Sequence, residues 1–197
     1  AQLAKLRDKS DGHHTWTEAE VAQFEARHPP GTKAHLALTL MLFTGGRRSD
    51  ASKLGRRHVY VSGGVQRLKW TAHKNRRAHP AVIDIPILPP LAEALARGPC
   101  GDLTFLATEY GKPFTIAGFG NWFGKRCREA GLPHCSAHGL RKRAATVAAE
   151  NGATAHELMS MMGWKSIAEA ERYTRTAERR RMATAGMATL LALKPRT

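Results

Sequence analysis

The apolar positions along the chain fall into three regimes of different period. In the first, Thr15-Trp16-Thr17-Glu18 reads as a helix start, with Thr15 as N-cap and Glu18 three residues on. That helix runs to about His28 and stops at Pro29-Pro30-Gly31. An almost continuous apolar run over residues 33–45 follows. Its length and few β-branched residues predict a buried helix rather than a strand. A short third helix is predicted over residues 48–54. The period then changes to that of strands over 58–61, 65–71 and 81–87. Gly63-Gly64 fits a tight turn between the first two, and Pro86 suits the end of an edge strand. A basic loop, His73-Lys74-Asn75-Arg76-Arg77, joins the second strand to the third. Helical patterns return over 89–97, 115–131, 138–151 and 154–162, then in a short piece over 166–173 and a last helix over 178–193. Met182, Gly186, Thr189, Leu190 and Leu193 form a stripe on that last helix. By itself the stripe fits packing within the molecule. The pattern predicts an α+β fold, mostly helical, with a small three-stranded antiparallel sheet.

Composition narrows the function. The chain has 197 residues, consistent with one domain, and 42% hydrophobic residues, enough for a core and too many for a disordered chain. Lys and Arg number 31 against 16 Asp and Glu, a formal charge of +15. Such a balance points to a polyanion, most simply nucleic acid, since each neutralised phosphate releases counterions. Ribosomal proteins, heparin binders and membrane-surface proteins share it. The cysteines Cys100, Cys127 and Cys135 are odd in number and form no Cys-x-x-Cys pair, which argues against a disulfide framework and for a reducing, cytoplasmic setting. No apolar run approaches the roughly 20 residues of a membrane span. The chain opens on Ala1 in a polar stretch that reads as a linker over residues 1–14.

Four motifs carry chemistry. Thr44-Gly45-Gly46-Arg47-Arg48-Ser49-Asp50 places arginines after a glycine pair that can turn sharply. A helix cap followed by solvated arginines would look the same. A Walker-type phosphate loop is excluded, because no Gly-Lys-Ser/Thr follows. In His138-Gly139-Leu140-Arg141, positions i and i+3 share a helix face, so an imidazole and a guanidinium can reach one phosphate together. The bland alternative is a helix-start histidine beside a surface arginine. Lys74 sits at the hairpin tip, where lysines are commonly just solvated. Gly163-Trp164-Lys165-Ser166 precedes Tyr173, the one tyrosine of three in a strongly basic neighbourhood, with Arg172 and Arg175 beside it. Trp164 and Tyr173 could equally be packing aromatics. Cys127, His134, Cys135 and His138 cluster in sequence, but without the paired spacing of zinc sites.

Together these pieces resemble the tyrosine recombinase family of the phage-integrase type, from about Thr15 to the last helix. The resemblance implies the DNA breaking-rejoining fold, with residues 15–197 as the catalytic domain and residues 1–14 as remnant of an interdomain linker. The family's N-terminal DNA-clamping domain has no counterpart in this sequence. Arg47 matches the first catalytic arginine and Asp50 an acidic residue that supports it. Lys74 matches the hairpin lysine, with Lys69 in the preceding strand as rival. His138 and Arg141 match the His-x-x-Arg box. Trp164 stands where most members carry His, and Tyr173 matches the nucleophile. An indole N–H can donate to a phosphate oxygen but cannot exchange a proton. The last helix, with its stripe, resembles the segment that family members dock onto a neighbouring protomer.

The implied activity is site-specific DNA cleavage and rejoining through a 3′-phosphotyrosyl link, for integration or excision of a mobile element, without cofactor, metal or ATP. The implied partners are a double-stranded DNA attachment site and other protomers in a tetrameric synapse, with no membrane. Competing readings are a catalytically silent DNA-binding protein, a site-independent topoisomerase-like enzyme and an RNA-associated basic domain.

Overall fold

A computed structural model describes residues 12–73 and 80–190. Its first helix, α1 (Glu18–Arg27), is capped by Thr17, whose hydroxyl accepts the Glu20 N–H while the Glu20 carboxylate accepts the Thr17 N–H at 2.7 Å. The cap expected at Thr15 therefore moves two residues on. The sequence holds two overlapping frames, each a threonine with a glutamate three residues later, and burial of Trp16 decides between them. Its ring packs on Phe24 and Phe123, and its indole N–H donates to the Ser136 carbonyl at 2.9 Å. These contacts hold residues 15–16 outside the helix.

Helix α2 (Lys33–Thr44) is buried along most of its length, as its unbroken apolar run predicts. It packs against α4 (Pro89–Arg97) and α6 (Ala137–Glu150). It ends at Gly45, which takes a left-handed φ of 58°. A Cβ there would collide with the Met162 sulfur. Gly45→Ala thus meets both a backbone penalty and overpacking, and should lower stability by about 2–4 kcal/mol in urea unfolding. The next helix, α3 (Arg48–Ala51), is a single turn rather than the longer helix expected over 48–54.

The sheet is the expected antiparallel meander, β1 (Val59–Ser62), β2 (Val65–Thr71) and β3 (Val82–Pro86) in that order. Leu68 pairs with Val59 on one side and Ile85 on the other, and Trp70 pairs with Ile83. Leu68, Trp70, Ile83 and Ile85 turn to the core, while on the outer face the Arg67 Nε–H donates to Asp84 at 2.8 Å. Pro86 ends an edge strand, where its missing N–H costs no ladder bond.

Beyond α5 (Ile116–Glu129) and α7 (Ala155–Met162), the two helices expected at 166–173 and 178–193 are one, α8 (Ile167–Thr189). No Gly or Pro interrupts residues 167–185, Thr174 and Ala177 are buried, and Arg175 pairs with Glu171 one turn back. The described chain after Ala177 is exposed, including Met182, Met187 and Leu190, so these side chains do not pack within the molecule. Leu193 lies outside the described residues.

Two apolar clusters result. The larger joins Trp16, Phe24, α2, Phe119, Phe123 and the inner sheet face. The smaller joins Ala145, Ala149, Leu158, Met162, Trp164, Ala170 and Ala177 from α6, α7 and α8. At about 1.5–3 kcal/mol for each large buried side chain, each cluster holds its own helices firmly. Among the described residues, Arg47, His138 and Arg141 collect near where the two clusters meet.

Candidate active site

Arg141 occupies that seam. It is buried on α6, and its guanidinium donates to the Gly45 carbonyl at the end of α2 and to the Met162 carbonyl at the end of α7, the latter at 2.8 Å. A helix C-terminus offers carbonyls without intrahelical partners, so a fixed fork of donors suits two such ends at once. Burial and the neighbouring Arg47 lower the Arg141 pKa to about 10, while Asp50 and Glu169 counteract them. The group stays cationic at neutral pH. Its Cζ lies 5.4 Å from the Trp164 ring centroid, and Trp164 stacks on Tyr173 at 5.3 Å and 14° between planes. Arginine, indole and phenol thus form one continuous stack.

Arg47 closes the turn between α2 and α3. Its backbone N–H donates to Asp50 Oδ2 at 3.0 Å, and Asp50 Oδ1 accepts the His73 N–H at 2.8 Å. Asp50, buried, therefore supports Arg47 through the backbone rather than through its guanidinium, and also anchors the end of β2 beside it. Lys74 follows His73 directly but lies outside the described residues. Its rival Lys69 is exposed on β2, in a cleft of about 390 Å³ shared with Lys53, Arg57 and His73.

A second cleft of about 390 Å³ is lined by Arg47, His138 and Arg141 among others. His138 lies in the first turn of α6, capped by the Ser136 hydroxyl. Partial burial pushes its pKa below 6.5, and His13, Arg141, Lys142 and Arg47 push the same way. The imidazole is therefore neutral at neutral pH. Because the folded pKa is depressed, the stability it contributes is present above pH 6.5 and is lost as pH falls below it. The His138 resonance in an NMR titration should have a midpoint below 6.5, and Arg47→Gln should raise it. Burial raises the Tyr173 phenol above its ordinary 10, against the pull of Arg141 and Arg172. Tyr173 is thus a neutral phenol at neutral pH.

The structure also contributes groups from the stretch that reads as a linker in sequence. The His13 ring lies 4.7 Å from the His138 ring, and Lys142 Nζ donates to the His13 carbonyl at 2.7 Å. Close approach depends on Gly139, where a Cβ would clash with the His14 carbonyl and the Trp16 ring. Glycine within the His-x-x-Arg spacing is the one available sequence signal.

The sequence model of the phage integrase family matches residues 17–180. No curated protein sequence matches this chain. Among solved structures, the Tn1549 transposon integrase in complex with transposon right end DNA superposes with a TM-score of 0.70 at 18% identity, covering 90% of this chain and 69% of that one. XerA recombinase gives 0.67 at 16% identity, covering 93% and 66%. A lambda integrase dimer bound to a COC′ core site gives 0.66 at 20% identity, covering 85% and 61%. The chain thus spans about two thirds of the length of these relatives, and they share its fold of helices around a small antiparallel sheet. With the family match running from the cap of α1 past Tyr173, the chain belongs to the phage integrase family.

Proposed function

We propose that the protein is the catalytic domain, over residues 15–197, of a site-specific DNA recombinase that cuts and rejoins strands through a 3′-phosphotyrosyl intermediate. The observation that carries this reading is the stack of Arg141, Trp164 and Tyr173 beside a cleft lined by Arg47 and His138. A phosphodiester resists attack because its charge repels nucleophiles, and its transition state gathers further charge on the oxygens. Arg47 and Arg141 hold donors ready for that charge, and such preorganised stabilisation is the main source of rate in sites of this kind.

The Tyr173 oxygen attacks phosphorus, forming the O–P bond as the bond to the 5′-oxygen breaks. His138 takes the phenolic proton and returns it in the reverse step. Lys74 protonates the departing 5′-oxygen, which leaves as the 5′-hydroxyl. Trp164 holds the phosphate by its indole N–H and packs the pocket. The phosphotyrosyl ester conserves the bond energy, so the reaction as proposed draws on no cofactor, metal or ATP.

Integration or excision of a mobile element is the proposed role, and a double-stranded attachment site the proposed substrate. The exposed end of α8, with Met182 and Leu190, is proposed to dock on a neighbouring protomer in a synaptic tetramer. Among the described residues no helix is long and apolar enough to cross a membrane. The test is incubation with a nicked suicide substrate carrying the element's attachment site. An adduct that survives SDS is expected, and it should form at that site and not along random duplex. Absence of the adduct would leave a DNA-binding protein, and site-independent plasmid relaxation would favour a topoisomerase.

A further inference from the structure

Away from the proposed catalytic groups, the structure gathers four metal-ligating side chains that no motif joins. They are His14 before α1, Glu20 in its first turn, and His134 and Cys135 just before α6, with ligand atoms all within 4.8 Å of one another. Glu20 Oε1 lies 2.6 Å from His134 Nε2 and 2.9 Å from His14 Nε2. The two imidazoles meet edge to face at 4.9 Å. Cys135 is buried beneath them. The sequence cluster of Cys127, His134, Cys135 and His138 is thus split: His134 and Cys135 belong to this group, Cys127 and His138 do not.

We infer that His14, Glu20, His134 and Cys135 form a structural site for a zinc-class divalent cation, which ties the segment before α1 to the start of α6. Three observations support it. The donor set, two imidazoles with one carboxylate and one thiolate, is the borderline-soft combination zinc takes. Bond lengths of about 2.0–2.3 Å in a tetrahedron put ligand atoms about 3.3–3.8 Å apart, so shifts of about an ångström convert the cluster. The charges also close: one carboxylate and one thiolate neutralise a dication in a chain whose overall charge is +15 and would otherwise repel it.

Glu20 can serve both purposes. Its Oε2 holds the Thr17 N–H of the helix cap, leaving Oε1 to the metal. Oε1 already faces both imidazoles, so a cation between them meets the carboxylate without a change of rotamer. Binding forms the metal–sulfur bond as the Cys135 thiol proton leaves to solvent. The site sits three residues before His138, and its neighbour His13 lies with its ring 4.7 Å from that ring, tilted by 45°.

The test uses untagged, reduced, chelator-stripped protein titrated with Co²⁺ and then Zn²⁺. Expected are uptake of one equivalent, a thiolate-to-cobalt charge-transfer band with four-coordinate d–d absorption, and displacement by Zn²⁺. Cys135→Ser should abolish the band, and His14→Ala with His134→Ala should weaken zinc binding by at least about tenfold. Cys127→Ala, buried nearby, should leave both unchanged. Both imidazoles are substantially exposed, at 40% and 51% of the side chain, so removing them leaves the core intact, and melting without metal verifies each fold. A missing band, a band that survives Cys135→Ser, or uptake indifferent to the double histidine variant would overturn the site and leave a hydrogen-bonded cluster only.

Discussion

Tyr173→Phe should fold and bind DNA as the parent does, yet form no covalent adduct with a suicide substrate. The change removes one oxygen from a half-buried ring whose stacking on Trp164 at 5.3 Å does not involve it. The ring keeps its place between α6, α7 and α8, so near-ultraviolet circular dichroism and melting should change little. Loss of a covalent nucleophile, in contrast, removes the step itself. On the scale seen when other enzymes lose theirs, cleavage should fall by on the order of 10⁴-fold or more. No nearby tyrosine stands ready to substitute: Tyr60 lies on β1 with its hydroxyl on Asp84, and Tyr110 is exposed in the loop before α5. An SDS-resistant adduct that persists in Tyr173→Phe would refute the assignment of the nucleophile.

Arg141→Lys should separate catalysis from binding. A lysine keeps the charge but not the fork, so it cannot hold the carbonyls of Gly45 and Met162 together and still face the cleft. One carbonyl left without its donor in a buried seam costs about 1–3 kcal/mol of stability. The proposed catalytic loss is larger: withdrawing one preorganised donor from a charged transition state slows other enzymes by about 10²–10³-fold. DNA affinity should fall much less, because one phosphate contact among many contributes modestly to binding. Filter binding and cleavage rates measured on the same variant decide the matter. Equal losses in both would mean that Arg141 acts only as a binding residue.

Local chemistry carries much of the architecture in the sequence. Alternation in 65–71, the glycine turn before it and Pro86 after it predict a meander, and the structure bears it out. The apolar run of α2 and the threonine and serine caps of α5, α6 and α7 place those helices within a few residues, because capping and side-chain period act over a single turn. Boundaries move where a distant contact outvotes a local one. Trp16 chooses between two equivalent caps for α1, and packing of Thr174 and Ala177 carries α8 through a stretch where the local pattern breaks off.

The same division holds for function. Residue types and their order along the chain suffice for the family, since matching a motif needs only spacing. They do not say that Arg141 ties two helix ends across a seam, or that Asp50 grips Arg47 by its backbone while anchoring His73. Nor do they bring His14 and Glu20 to His134 and Cys135, more than a hundred positions away. A sequence determines which groups are available and what each helix face or strand edge favours within a few residues. Which groups share a dielectric, a proton or a ligand depends on close packing between remote segments, and only the tertiary structure decides that.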